Sequence, residues 1–172
     1  MEQRGEKVDG FRFLPPGLKA WVNTFIPDED FKEYIPWTPM TKPVSQTTIA
    51  LVTSAGISLK IDPPFDMDRE KREAIWGDRS YRAIPRDTTE KDIEIKHLHI
   101  NTNWIKQDIN VILPLARMAE FEQERTIGCL APTSYSFYGF QWQNTDFLKE
   151  AIEPISEKMK LEGVEAVLLT PA

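Results

Sequence analysis

The stretch 163–172, GVEAVLLTPA, constrains the fold more than any other. Val164, Ala166, Val167, Leu168 and Leu169 form a short, almost unbroken apolar run. A run of that length and β-branched content reads as a strand buried on both faces, the kind found in a parallel sheet. Residues 145–162 before it read as a helix with Asn144 or Thr145 as N-cap, and Gly163 stands where a helix end needs a left-handed residue. Leu148, Ile152, Ile155 and Met159 recur at helical spacing as one apolar stripe, and Pro154 inside the pattern predicts a kink. Helix, tight turn and core strand in succession point to an α/β fold. The expectation is a mainly parallel open sheet with flanking helices, three layers in all. Ligands in such sheets bind beyond the carboxyl ends of the strands.

The rest of the chain supplies the other elements. Residues 47–53, TTIALVT, read as a buried strand followed at once by Ser54-Ala55-Gly56. Residues 68–76 read as an exposed charged helix ended by Gly77. Residues 93–100 alternate strictly and read as a strand with one wetter face. Pro114 opens a helix running to about residue 124, with Leu115, Met118, Ala119 and Phe121 as its buried stripe. Residues 127–131, IGCLA, read as a further strand, and 132–140 as the loop or aromatic turn that follows it. Six of the thirteen prolines fall between Pro15 and Pro43. Residues 1–46 are therefore expected as an irregular proline- and aromatic-rich wrap, with Phe31, Tyr34, Ile35 and Trp37 packing on the core or on a second copy, and residues 47–172 as one α/β domain.

A chain of 172 residues buries roughly 70% of its unfolded surface and needs no disulfides. The net charge of −6 argues against nucleic acid or an anionic membrane as partner. No apolar run approaches the roughly 20 residues of a membrane helix, and the first ten residues lack a signal-peptide core. With Cys129 as the single cysteine, a cytoplasmic location is the simplest reading.

Candidate ligand-facing residues gather in four places. Ser54 and Gly56 follow a strand end, where small residues let backbone N–H groups approach an anion, although no phosphate-loop pattern exists here. Ser80 and Tyr81 lie in a loop dense in hydrogen-bonding groups, which serves either a ligand or its own internal bonds. His97 and His99 share one face of the expected 93–100 strand. Two histidines at that spacing can both reach a metal, but no third and fourth ligand is evident, so no metal site is assigned. Ser134 and Tyr135 belong to the 132–140 segment. Cys129, inside an apolar strand, reads as an inert hydrophobe, and no catalytic residue is assigned.

Several stretches, in their order and spacing, resemble the selenoprotein B family of the glycine, sarcosine, betaine and D-proline reductases. They are Ile35-Pro36-Trp37-Thr38-Pro39 with Lys42-Pro43, Ala50 to Gly56, Pro63-Pro64-Phe65-Asp66, and Asp78 to Pro85 with Ser80-Tyr81-Arg82 central. Ile127 to Pro132 with Ser136-Phe137-Tyr138-Gly139, and Gly163 to Pro171, complete the set. The resemblance implies an oxidoreductase that cleaves a small amine reductively with thiol as electron donor, in amino-acid metabolism. It implies a small amine or amino-acid-like ligand, with other reductase subunits or a homo-oligomer as partners. It also implies a redox selenocysteine or cysteine just past the strand matched by residues 164–170, that is, beyond Ala172. A UGA codon there, or a naturally short homologue, both account for its absence from this sequence. The expectation is an N-terminal portion that is inactive alone. The alternative is a non-catalytic ligand-binding or oligomeric assembly module.

Overall fold

A computed structural model of the chain describes residues 10–23, 38–73, 76–97, 100–139, 141 and 144–172. Phe31, Tyr34, Ile35 and Trp37, and His99, lie outside these. The chain divides into two compact units, Met1–Pro39 and Met40–Ala172. Of the first, a 3-10 turn Gly10–Phe13 and a helix α1 (Pro16–Asn23) are described, with Pro16 opening the helix as its fixed φ favours.

The second unit is an α/β domain built on β1 (Thr48–Thr53). Its side chains alternate between two cores. Ile49 and Leu51 enter one apolar cluster, and Ala50 and Val52 enter the other. In chain order follow β2 (Ile57–Leu59), α2 (Met67–Arg72), β3 (Tyr81–Pro85), β4 (Ile93–Ile95), α3 (Thr102–Ile105), α4 (Leu115–Gln123), β5 (Cys129–Leu130), β6 (Thr133–Phe137), α5 (Asn144–Phe147), α6 (Glu153–Leu161) and β7 (Ala166–Thr170). β1 pairs in parallel with β5, β6 and β7, and β6 pairs antiparallel with β3. A strand has only two edges, and β7 runs along one of them from Ile49 to Thr53. β5 and β6 therefore share the other, as one strand interrupted at Ala131–Pro132, where the register slips by two residues. β2 and β4 form a separate antiparallel pair. The small pair, α3 and α4 cover one face of the main sheet; α5 and α6 cover the other.

The mainly parallel sheet between helical layers agrees with the expected fold class. Three local readings change and one is refined. Residues 132–140 are not a loop: 133–137 form the central strand β6, since after Pro132 breaks the ladder the chain rejoins the same edge of β1. The 93–100 strand stops at Ile95, because its partner β2 is only three residues long. The closing helix is continuous from Asn144 to Leu161 but changes its winding just before Pro154. A π-helical turn, Leu148–Ile152, joins α5 to α6 directly ahead of Pro154, where the proline ring and its missing N–H disturb the regular α-helical bonding. Phe121 is exposed, since it falls off the Leu115–Met118 face.

The helix–turn–strand ending behaves at its turn as its sequence suggests. Gly163 has φ +71°, its N–H donates to the Lys160 carbonyl at 3.1 Å, and the Val164 N–H donates to Met159 at 2.9 Å, a complete Schellman stop. The strand itself does not. β7 is an edge strand rather than a doubly buried one: Val167, Leu168 and Leu169 are 44%, 42% and 68% exposed.

Candidate functional site

Because β1, β6 and β7 run parallel, their carboxyl ends meet at one rim of the sheet. Thr53 closes β1, and its Oγ1 accepts the Ala55 N–H at 3.2 Å to begin a turn. Gly56 completes it with φ +62°, donating to the Phe137 carbonyl at 3.0 Å. A Cβ there would stand 3.0 Å from the Tyr138 ring and 3.1 Å from the Lys96 carbonyl, so only glycine fits without displacement. Ser54 Oγ accepts from the Ala172 N–H at 3.0 Å, which ties the end of β7 to the end of β1.

Tyr138 is the pivot of this rim. It is buried, with Phe65 at 6.4 Å and His97 at 4.8 Å between ring centroids. Its hydroxyl donates to the buried Glu70 carboxylate of α2 at 2.6 Å. Asp66 caps α2 by accepting the Arg69 N–H at 2.9 Å. Asp78 accepts the Asp66 N–H at 2.8 Å and the Ser80 N–H at 2.8 Å. Arg82 finishes the frame: its Nε donates to the Pro63 carbonyl at 2.8 Å, its Nη1 donates to Ser80 Oγ at 2.9 Å, and its guanidinium lies 4.3 Å from the Phe65 ring centroid. The 78–80 segment is thus tied to the start of β3, where Tyr81 and Arg82 are strand residues paired with β6 rather than loop residues, and together they hold the 63–66 turn in place.

Between that turn, α2 and the end of β4 opens a cleft of about 490 Å³. Phe65 and His97 supply flat walls. Asp66, Asp68, Lys71 and Lys96 supply charges of both signs. Lys96 pairs with Glu94 at 2.8 Å and Lys71 with Asp68 at 3.4 Å, both near the surface, where solvent keeps such pairs exchangeable. A site so lined can seat a small molecule carrying both an ammonium and a carboxylate. Among the described residues no group of three or more His, Cys, Asp or Glu gathers as metal ligands.

The eight sequence-nominated residues do not all meet here. Gly56 and His97 touch Tyr138, Ser54 sits at the same rim, and Ser80 is bound into the Asp78–Arg82 frame. Tyr81 turns to the other face of the sheet, packing on Tyr135 at 6.1 Å and under Lys158. Ser134 and Tyr135 are fully buried within the sheet. Burial, reinforced by the nearby Glu162 carboxylate, pushes the Tyr135 phenol up to about 12. His99 lies outside the described residues. Glu70, Asp78, Arg82 and Phe65 were missed as site residues. Glu70 carried no local signal in the charged run DMDREKR, but the Asp66 cap sets the helix phase that turns it inward.

Cys129 sits apart from the cleft. It pairs with Thr48 at the start of β1, five residues and roughly 17 Å of strand from Thr53. Its thiol is half-buried beside the Arg86–Glu122 ion pair and is raised, first by the Glu122 carboxylate and then by burial, against an opposing pull from Arg86. A thiol held protonated in this way is a poor nucleophile.

Over residues 23–172 the chain matches the family model described as glycine/sarcosine/betaine reductase selenoprotein B. It is 36% identical over 134 residues to the D-proline reductase subunit gamma of Acetoanaerobium sticklandii, covering 78% of this chain and 52% of that protein. It is 32% identical over 136 residues to the glycine reductase complex component B subunit gamma of Carboxydothermus hydrogenoformans, covering 79% and 30%. To the sarcosine reductase complex component B subunit beta of Peptoclostridium acidaminophilum it is 28% identical over 137 residues, covering 79% and 30%. The chain thus spans about half the length of the first of these relatives and under a third of the other two. No solved structure matches it.

Proposed function

This chain belongs to the glycine/sarcosine/betaine reductase selenoprotein B family, and we propose that it is the ligand-holding portion of a reductase of that kind. Its relatives are named as subunits of multi-component reductases, and in this reading other reductase subunits are its partners. The ligand is a small amine or amino-acid-like molecule, seated in the cleft between residues 64–71 and His97. The observation that carries the reading is the lining of that cleft: two carboxylates and two ammonium groups around the Phe65 and His97 rings, at the carboxyl rim of the parallel strands.

The reaction class is reductive cleavage of a carbon–nitrogen bond. Two thiols give two electrons and two protons, the C–N bond breaks, a C–H and an N–H bond form, and a disulfide remains. This chain's part is to bind and orient. Lys71 and Lys96 face the ligand carboxylate, Asp66 and Asp68 face its nitrogen, and the two rings exclude water from the apolar carbons. No described cleft residue is a thiol, and Cys129 lies at the far end of β1. The described residues therefore hold the ligand without supplying the redox group.

Calorimetric titration with glycine, sarcosine, betaine and D-proline tests the reading, alongside amine release with dithiothreitol as sole reductant. Saturable binding of at least one of the four, without turnover by the chain alone, is expected. Absence of binding to all four contradicts the cleft assignment, and dithiol-driven turnover by the chain alone contradicts the division of labour.

A further inference from the structure

β7 is composed as an interior strand yet sits as an edge. Ala166–Thr170 carries no charge, no bulge and no proline, the devices by which proteins usually guard an exposed edge. The Glu165 N–H donates to the Thr48 carbonyl at 2.9 Å. The Ile49 carbonyl turns the other way, to the Ala131 N–H, so Thr48, Ala50 and Val52 present their carbonyls to β7. With Ile49 opposite Ala166, the N–H groups of Ala166, Leu168 and Thr170 face β1, and those of Val167 and Leu169 face outward. The uncovered surface includes both faces as well as the edge. Val167 and Leu169 stand on one face, Leu168 on the other, and all three are more than 40% exposed.

We propose that the free edge of β7 seats a further parallel strand from the part of the family polypeptide that this chain does not match. The first support is length. The Acetoanaerobium relative carries about as much chain again outside the matched region, and the other two relatives more than twice as much. The second is the pattern of exposure. Every partner of β1 is parallel, and a parallel neighbour arrives with a crossover segment that packs on a face of the sheet. One strand with its crossover covers edge and face together. A second copy of this chain fits less well. Two-fold pairing sets β7 against an antiparallel copy of itself, and the two exposed strands then merge into a wider uncovered apolar band. The inference rests on family membership and not on the cleft.

The experiment has two arms. Hydrogen exchange on the chain alone is expected to show the Val167 and Leu169 amides exchanging roughly 100-fold faster than those of Ala166, Leu168 and Thr170. In the intact D-proline reductase subunit gamma, all five amides of the matching strand are expected to be slow. Alternating fast exchange in that intact protein overturns the proposal. So does uniform protection in this chain at a mass of two copies, since a second copy then covers the edge. In the second arm the chain is co-expressed with the unmatched remainder of that relative. One-to-one co-purification is expected, lost in Leu168→Lys and kept in Ile61→Lys, a position 89% exposed and off the edge. Failure to co-purify with a soluble remainder, or co-purification indifferent to Leu168→Lys, overturns it. Where the remainder is insoluble, the exchange pattern of the intact relative decides.

Discussion

The Tyr138 hydroxyl donates to the Glu70 carboxylate across 2.6 Å, fastening α2 to the end of β6. Both groups are buried, so water cannot replace a lost partner. Tyr138→Phe is expected to cost about 1–3 kcal/mol in urea denaturation. It also loosens the wall made by Met67, Asp68 and Lys71, so ligand affinity falls along with stability. Unchanged affinity in a destabilised Tyr138→Phe protein would show that α2 is no part of the cleft.

Two glycines with positive φ separate strain from crowding. Gly163→Ala meets nothing within 4 Å and is expected to cost about 1 kcal/mol of left-handed strain alone. Gly56→Ala adds contacts at 3.0 and 3.1 Å to the same strain and is expected to cost at least about 2 kcal/mol. The reverse change suits Arg125, which ends α4 at φ +58° with the same pair of stop bonds, Arg125 to Glu122 and Thr126 to Phe121. Arg125→Gly is expected to stabilise by about 0.5–1 kcal/mol. Thermal or urea midpoints of the three variants check the order.

The Glu122 carboxylate is lowered, chiefly by the Arg86 bond, while the Cys129 thiol is raised, chiefly by Glu122. Cys129 is therefore expected to react with a disulfide reagent more slowly than a free thiol at pH 8. In Glu122→Gln, the raising carboxylate goes and Arg86 is left unopposed, so the rate should rise several-fold. The same depression of Glu122, shared by Asp92, Asp108 and Glu165 through their own hydrogen bonds, sets the acid limb. Their stabilisation is present above the ordinary carboxylate range near pH 4 and is lost as pH falls through it. Denaturant midpoints are expected to be flat above pH 6 and to decline below about pH 4.5.

At the alkaline end Tyr135 dominates. Its folded value of about 12 lies above the ordinary 10, so its contribution is complete below pH 10 and fades as pH rises towards 12. Phenolate absorbance is expected to show a late step that accompanies unfolding. Its amplitude is expected to fall in the Tyr135→Phe protein. Ionisation of all tyrosines near pH 10 in the folded protein contradicts the burial of Tyr135.

What the sequence disclosed follows the range of the forces involved. β1 was legible because TIALVT is apolar on both faces and lies in the middle of the sheet. The Gly163 stop was legible because the αL requirement is local. β6 was hidden because Pro132 looks like the start of a loop, and only the long-range register to Val52 and Thr53 shows that the ladder resumes. β7 was misjudged for the opposite reason: its composition reports the burial of an interior strand, while its exposure reflects pairing with β1 alone among the described residues. At the candidate site, Ser54, Gly56 and His97 could be nominated from the sequence because chemistry-bearing residues at strand ends are local signals. The partnership of Tyr138 with Glu70 spans 68 residues and leaves no such trace.

The central claim is that the cleft beside His97 is where this chain holds its ligand. Selective ¹³C labelling of the two histidines, assigned through a His99→Gln variant, permits a direct reading during titration with D-proline. The account predicts a saturable shift of the His97 resonance, with affinity weakened at least roughly tenfold in Lys96→Gln. Saturable binding that leaves the His97 resonance unmoved, and is indifferent to Lys96→Gln, contradicts it.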